Sequence, residues 1–303
     1  MPARRKIGIF LAITFVASWS IAGTFIALGY EWNGPMAQAV GMLFMMPPAF
    51  AALIVKGPLA GDPVLADLAL VLRPNRWWLV AWLIPPLLLV LVVAVSAVLP
   101  GMSVALGVDH FLDFWRERVP EESFAEFERQ VRDSGIDPAL RMLLQAMVAG
   151  ITINAIVALG QELGWRGFLH HELRMGFLQK SLVIGALWGV WHAPIVALGH
   201  NYPQHPALGI VLMVAWATAI SPIFAYVRER SGSVVAAGIL HGTLNALGGL
   251  PMIVTRGGDD LAMGFTGLAG FAAIAVALAL IALHDRYVAA EPLFSRQSRA
   301  RPG

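Results

Sequence analysis

The chain has 303 residues, 58% hydrophobic and 13% charged, with a mean hydropathy of +0.70; an ordinary soluble domain carries roughly 25% charged residues. A water-soluble fold of this length cannot hide so much apolar surface, so composition alone places the chain in the membrane class. The absence of cysteine excludes disulfide frameworks, thiolate metal sites and cysteine nucleophiles, and a net charge of +2 argues against a nucleic-acid partner.

In chain order, the first expected span is 7–29, preceded by Arg4, Arg5 and Lys6. That start has the charge pattern of a signal peptide. Its apolar run is too long for a signal h-region and further spans follow, so it reads as an uncleaved first helix. Seven more spans are expected at 36–55, 77–99, 139–161, 178–199, 206–227, 232–254 and 262–284, each near the roughly 20 residues a crossing helix needs. Pro47-Pro48 and Pro85-Pro86 fall inside spans, which membrane helices tolerate. With the N-terminus inside, the cytoplasmic segments hold 15 Lys/Arg and 7 Asp/Glu, and the outer segments hold 6 and 12. This is the positive-inside bias. The expected fold is an all-α polytopic membrane bundle of about eight helices with both termini in the cytosol. It divides into N-terminal helices and an outer loop (1–138), a core (139–255), and a last helix with a cytoplasmic tail (256–303).

The loop 100–138 holds Phe111, Phe114, Trp115, Phe124 and Phe127 among nine acids and four arginines. The helical spacing of Phe111, Phe114 and Trp115 predicts a short amphipathic helix at the outer interface. It caps the bundle, or gates substrate.

Ionisable groups inside spans are costly and by default suggest function. They fall here into three groups. Gln161-Glu162-Leu163-Gly164-Trp165-Arg166-Gly167 closes the fourth span. Glu162 and Arg166 are four apart, so carboxylate and guanidinium share a helix face and can pair. Trp188 and His192 have the same spacing in the fifth span, and His241 and Asn245 in the seventh. Each group alone suits an interhelical hydrogen bond. Together they supply a base, its partner and oxyanion donors, the parts of an acyl-transfer hydrolase. Gln145 and Asn154 read as interhelical hydrogen-bond partners, Ser181 and Thr243 as small polar residues at helix contacts. His170 and His171 are expected in a basic cytoplasmic loop, His200 and His205 beside an outer turn, His110 and His284 at interfaces.

Gln161-Glu162-x-x-x-Arg166, Trp188-x-x-x-His192 and His241-x-x-x-Asn245 resemble the three motifs of the CAAX prenyl protease 2/lysostaphin-resistance-protein-A-like family, also called CPBP or Abi. The resemblance covers residues 139–255. It implies an intramembrane endopeptidase acting on membrane-associated peptides or proteins, with its polar cavity open to the cytosol. In the family's pattern the first glutamate, here Gln161, and the His192 position activate a water. His241 and Asn245 stabilise the oxyanion, Glu162 and Arg166 hold the constellation in shape, and Trp188 supports it. The expected location is the bacterial inner membrane.

The departure is Gln161 itself. An amide orients a water but cannot take its proton near neutral pH. Three readings stay open: Glu162 takes over, the chain is a non-catalytic regulatory or immunity-type member, or the glutamine silences an enzyme by design. A transporter, the third class, often carries inverted repeats, and none is visible. The resemblance implies no cofactor. The alternative is a zinc ion on Glu162, His192 and His241, a His2Glu set drawn from three helices without a local chelate.

Overall fold

The computed structural model describes residues 1–294. In order, the helices are α1 (Ala3–Ala27), α2 (Gly34–Phe44), α3 (Pro47–Ile54), a π-helical turn Val55–Leu59, α4 (Val64–Asp67) and α5 (Arg76–Ser96). The outer cap follows as α6 (Val108–Arg116) and α7 (Glu121–Asp133), then α8 (Pro138–Ile151), α9 (Ile153–Glu162), a second π-helical turn Leu163–Leu169 and α10 (His170–Glu172). The rest are α11 (Phe177–Trp191), α12 (Ala193–Ala197), α13 (Pro206–Ser231), α14 (Val234–Ala246), α15 (Leu250–Val254) and α16 (Leu268–Tyr287). Two short strands, β1 (Ser103–Val104) and β2 (Thr255–Arg256), pair antiparallel.

Local chemistry sets the boundaries. Asn75 caps α5 by accepting from Trp77 N, Asp137 caps α8 through Leu140 N, and Ser233 caps α14 through Val235 N, each satisfying an otherwise orphaned amide. Gly232 at φ +68° ends α13 in the left-handed conformation, which glycine adopts without a Cβ clash.

Six helical stretches are long and apolar enough to cross a membrane: 3–27, 34–59, 76–96, 206–231, 234–254 and 268–287. A seventh is the pair Pro138–Ile151 and Ile153–Glu172, bent by 50° where Thr152 leaves helical geometry at φ −114° and ψ −107°. The eighth expected span, 178–199, is not one long helix. It is the 15-residue α11, broken at His192 before α12, because Pro194 has no N–H to give Val190 and its ring crowds that carbonyl.

Polar and aromatic contacts tie the chain together at the two ends of the bundle. Lys6, Lys56, Asp62, Asp67 and Glu172 form one ion cluster. Asn75 Nδ2 donates to Ser231 O at 2.9 Å, and Arg230 pairs with Asp285. At the opposite end Trp32 meets His200 at 5.8 Å between ring centroids, Tyr202 OH donates to Thr266 O at 2.7 Å, and Arg256 pairs with Asp113 at 3.0 Å. The chain alternates between these ends, which puts the start of α1 and the end of α16 at the same end of the bundle. Reporter fusions after residues 100 and 303 should therefore land on opposite sides of the membrane; finding both on one side would overturn this topology.

Lys56 is fully buried among the carboxylates of Asp62, Asp67 (2.6 Å) and Glu172. Removing one partner of a buried ion set typically costs about 3–5 kcal/mol. Lys56→Met should lower the melting temperature in detergent sharply, and an unchanged melt would show the cluster to be dispensable. The hydrogen bond from Lys6 holds the Asp62 carboxyl below the usual range. Its stabilisation is present above the unfolded carboxylate pKa and is lost as pH falls through the depressed folded value.

Three expectations need correction. The loop 100–138 holds two helices, α6 and α7, packed through Phe111, Leu112, Phe124 and Val131 onto Ile253. The second was missed although Phe124, Phe127 and Val131 also share a helix face. Gln145 is exposed rather than held between helices. His170 lies in helix, not loop; it is buried and 2.6 Å from Glu229 Oε1. Thr243 sits at a tight helix contact, where a Cβ on Gly150 would lie 2.6 Å from its Cα; Ser181 is buried, and both hydroxyls bond to carbonyls of their own helices, Phe177 O and Ile239 O.

Candidate active site

Glycine spacing packs two of the three motif helices on each other and seats the third on α13. Gly238 and Gly242 flank His241 on α14 and face α9; a Cβ on Gly242 would lie 2.6 Å from Asn154 C, and one on Gly238 2.9 Å from Leu159 Cδ2. Gly185 on α11 does the same against α13, where a Cβ would lie 2.7 Å from Thr218 Cα. Small residues let membrane helices approach this closely. Side chains one turn away are then forced into contact.

Glu162 is fully buried at the end of α9 and Arg166 fully buried in the π-helical turn. Arg166 Nη1 donates to Glu162 Oε1 at 3.2 Å, and His241 Nδ1 lies 2.7 Å from the same oxygen. The carboxylate accepts from both, so His241 carries its proton on Nδ1 and turns Nε2 away from Glu162. Glu162 Oε2 is buried with no hydrogen-bond partner among the described residues.

A second chain runs alongside. Trp188 Nε1 donates to Gln161 Oε1 at 2.7 Å, and His192 Nδ1 lies 2.7 Å from Trp188 O. A carbonyl only accepts, so Nδ1 carries the proton and Nε2 of His192 keeps its lone pair. The Trp188 ring sits 5.5 Å from both imidazoles and 4.4 Å beneath the Arg166 guanidinium. It joins the two chains. From behind, Trp191 packs edge-on to His192 at 4.7 Å and is itself backed by Phe44 at 4.4 Å.

The structure thus gathers Gln161, Glu162, Arg166, Trp188, His192 and His241 in one buried cluster. Asn245, one turn beyond His241, is exposed, and its carboxamide makes no hydrogen bond among the described residues.

Residues 142–247 match a family model described as type II CAAX prenyl endopeptidase Rce1-like. That segment contains every motif residue just placed. Over that segment the chain is similar to the CAAX-protease family. No curated protein matches the chain. Its long apolar helices mark the chain as an integral, multi-pass membrane protein, and the family matched over that segment is one of endopeptidases. The matched segment falls inside the expected core of 139–255, and the flanking helices α1 and α5 pack around it.

Among the described residues no group of three or more His, Asp or Glu side chains is placed to hold one metal ion. Glu162 faces His241 Nδ1 as its hydrogen-bond partner instead of standing beside it as a co-ligand.

Proposed function

We propose that the chain is an intramembrane endopeptidase scaffold for membrane-associated peptides or proteins, built to cleave by activating a water between position 161 and His192. The observation that carries this reading is that Trp188 links the two groups: its Nε1 donates to Gln161 Oε1, and its carbonyl holds His192 Nδ1, leaving His192 Nε2 without a hydrogen-bond partner among the described residues. A carboxylate at 161 would keep that bond and add basicity. His192 Nε2 can accept a water proton, and general-base help of this kind is worth about 10²–10⁴-fold in rate. His241 and Asn245 take the oxyanion side. A donor at His241 Nε2 requires the doubly protonated ring, whose charge the Glu162 carboxylate at 2.7 Å offsets. Arg166 and Glu162 hold that ring in place. No step uses a metal.

The chain sits in this reading in a bacterial inner membrane with the ion cluster of Lys56 on the cytosolic side. Gln161 favours a second reading for the chain as written: a member that retains the fold as a membrane regulatory or immunity partner without turnover. Both are tested by reconstituting the protein in liposomes with a single-span peptide in ¹⁸O-water. Hydrolysis places ¹⁸O on the new carboxyl terminus, first in the Gln161→Glu protein. Cleavage products free of label would sink the water mechanism.

A further inference from the structure

Helix α13 carries none of the motif residues, yet two of its side chains close the cluster. Ser221 Oγ accepts from Arg166 Nη2 at 3.3 Å, and Phe224 lies 4.5 Å from the guanidinium carbon. Both are fully buried. The same Phe224 ring stands nearly perpendicular to His241, at 89° and 5.6 Å, and 5.6 Å from Trp188. Arg166 is therefore held by one carboxylate, one hydroxyl and two aromatic rings. Its partner Glu162 is the group that orients His241.

The reason these two residues belong to the cluster is geometric. Residues three apart on a helix share a face, so Ser221 and Phe224 point together at the π-helical turn of the motif helix. Ile223 is equally buried but projects about 100° round α13. Burial alone would not select Phe224. A guanidinium over an aromatic face is drawn by the ring's quadrupole, more strongly where water is excluded, and the Arg166 side chain is fully buried.

We propose that Phe224, aided by Ser221, is a positioning residue of the site: its ring fixes the Arg166 guanidinium and thereby sets Glu162 against His241, without itself meeting substrate. This rests on reading the cluster as a peptidase site. The electrostatic part of the claim separates from plain packing, because fluorine on the ring weakens the quadrupole while nearly keeping the shape.

The test replaces Phe224 by mono-, di- and trifluorophenylalanine in the Gln161→Glu protein and reads both turnover and melting temperature. The expected result is a stepwise fall in kcat, reaching on the order of tenfold for the trifluoro ring, with KM nearly constant. Melting temperature should fall along the same series, and become flat when Arg166 is replaced by Met. A flat series in both readouts overturns the proposal. An equal fall with and without Arg166 also overturns it, since Phe224 would then be core packing only. If the Gln161→Glu protein has no peptidase activity, the peptidase reading fails, and the melting series against Arg166→Met still decides the role of Phe224.

Discussion

Gln161→Glu is expected to raise peptide turnover by about 10²–10⁴-fold over the chain as written. Gln161 is 2% exposed and accepts from Trp188 Nε1 at 2.7 Å. Glutamate has nearly the same shape, so that hydrogen bond persists while the second oxygen gains a basicity that an amide lacks. Glu162 is poorly placed to substitute. It projects about 100° further round the helix, and its Oε1 is already engaged by Arg166 and His241. Fold and expression should change little. Equal turnover by both proteins, measured on fluorogenic membrane peptides, would remove position 161 from the chemistry and make Glu162 the next candidate.

Arg166→Ala should cost stability as well as activity. The pair with Glu162 is fully buried at 3.2 Å, and breaking such a pair by removing one member typically costs about 3–5 kcal/mol, because the other charge is left uncompensated. Loss of the guanidinium also opens a void between Trp188 and Phe224, which contact it at 4.4 and 4.5 Å. Arg166→Lys should recover only part of the loss, since an ammonium keeps the charge but not the planar stacking surface. Thermal melting in detergent checks this directly. Lost activity with an unchanged melting temperature would instead assign Arg166 to substrate contact.

The site was legible in the sequence where it depends on helix periodicity. Spacing of four placed Glu162 with Arg166 and Trp188 with His192, and both pairs are in contact. What spacing could not give is the choice of tertiary neighbour. Nothing in the apolar run of α13 distinguishes Phe224 from Ile223, and only the packed fold shows which of the two meets Arg166. The same limit explains Asn245, which shares the i,i+4 relation to His241 yet is exposed. A shared face does not say how far along the helix burial extends.

The fold shows a parallel division. Hydropathy located the apolar segments, and charge bias ordered the loops. Neither sees backbone breaks. Thr152 bends one traverse and Pro194 interrupts another, so eight expected spans become six long helices, a bent pair and a short broken helix. The ion cluster around Lys56 was equally hidden, because its members are scattered over residues 6–172 and meet only after the helices pack.

The central claim is that position 161 and His192 act on the same water. Its most direct measurement is the turnover of a membrane peptide by Gln161→Glu and by the double variant Gln161→Glu/His192→Ala, in the same liposomes. The double variant should fall back to the level of the chain as written, because the proposal makes His192 Nε2 the second acceptor of that water's proton. Full retention of the gained rate without His192 would contradict the account.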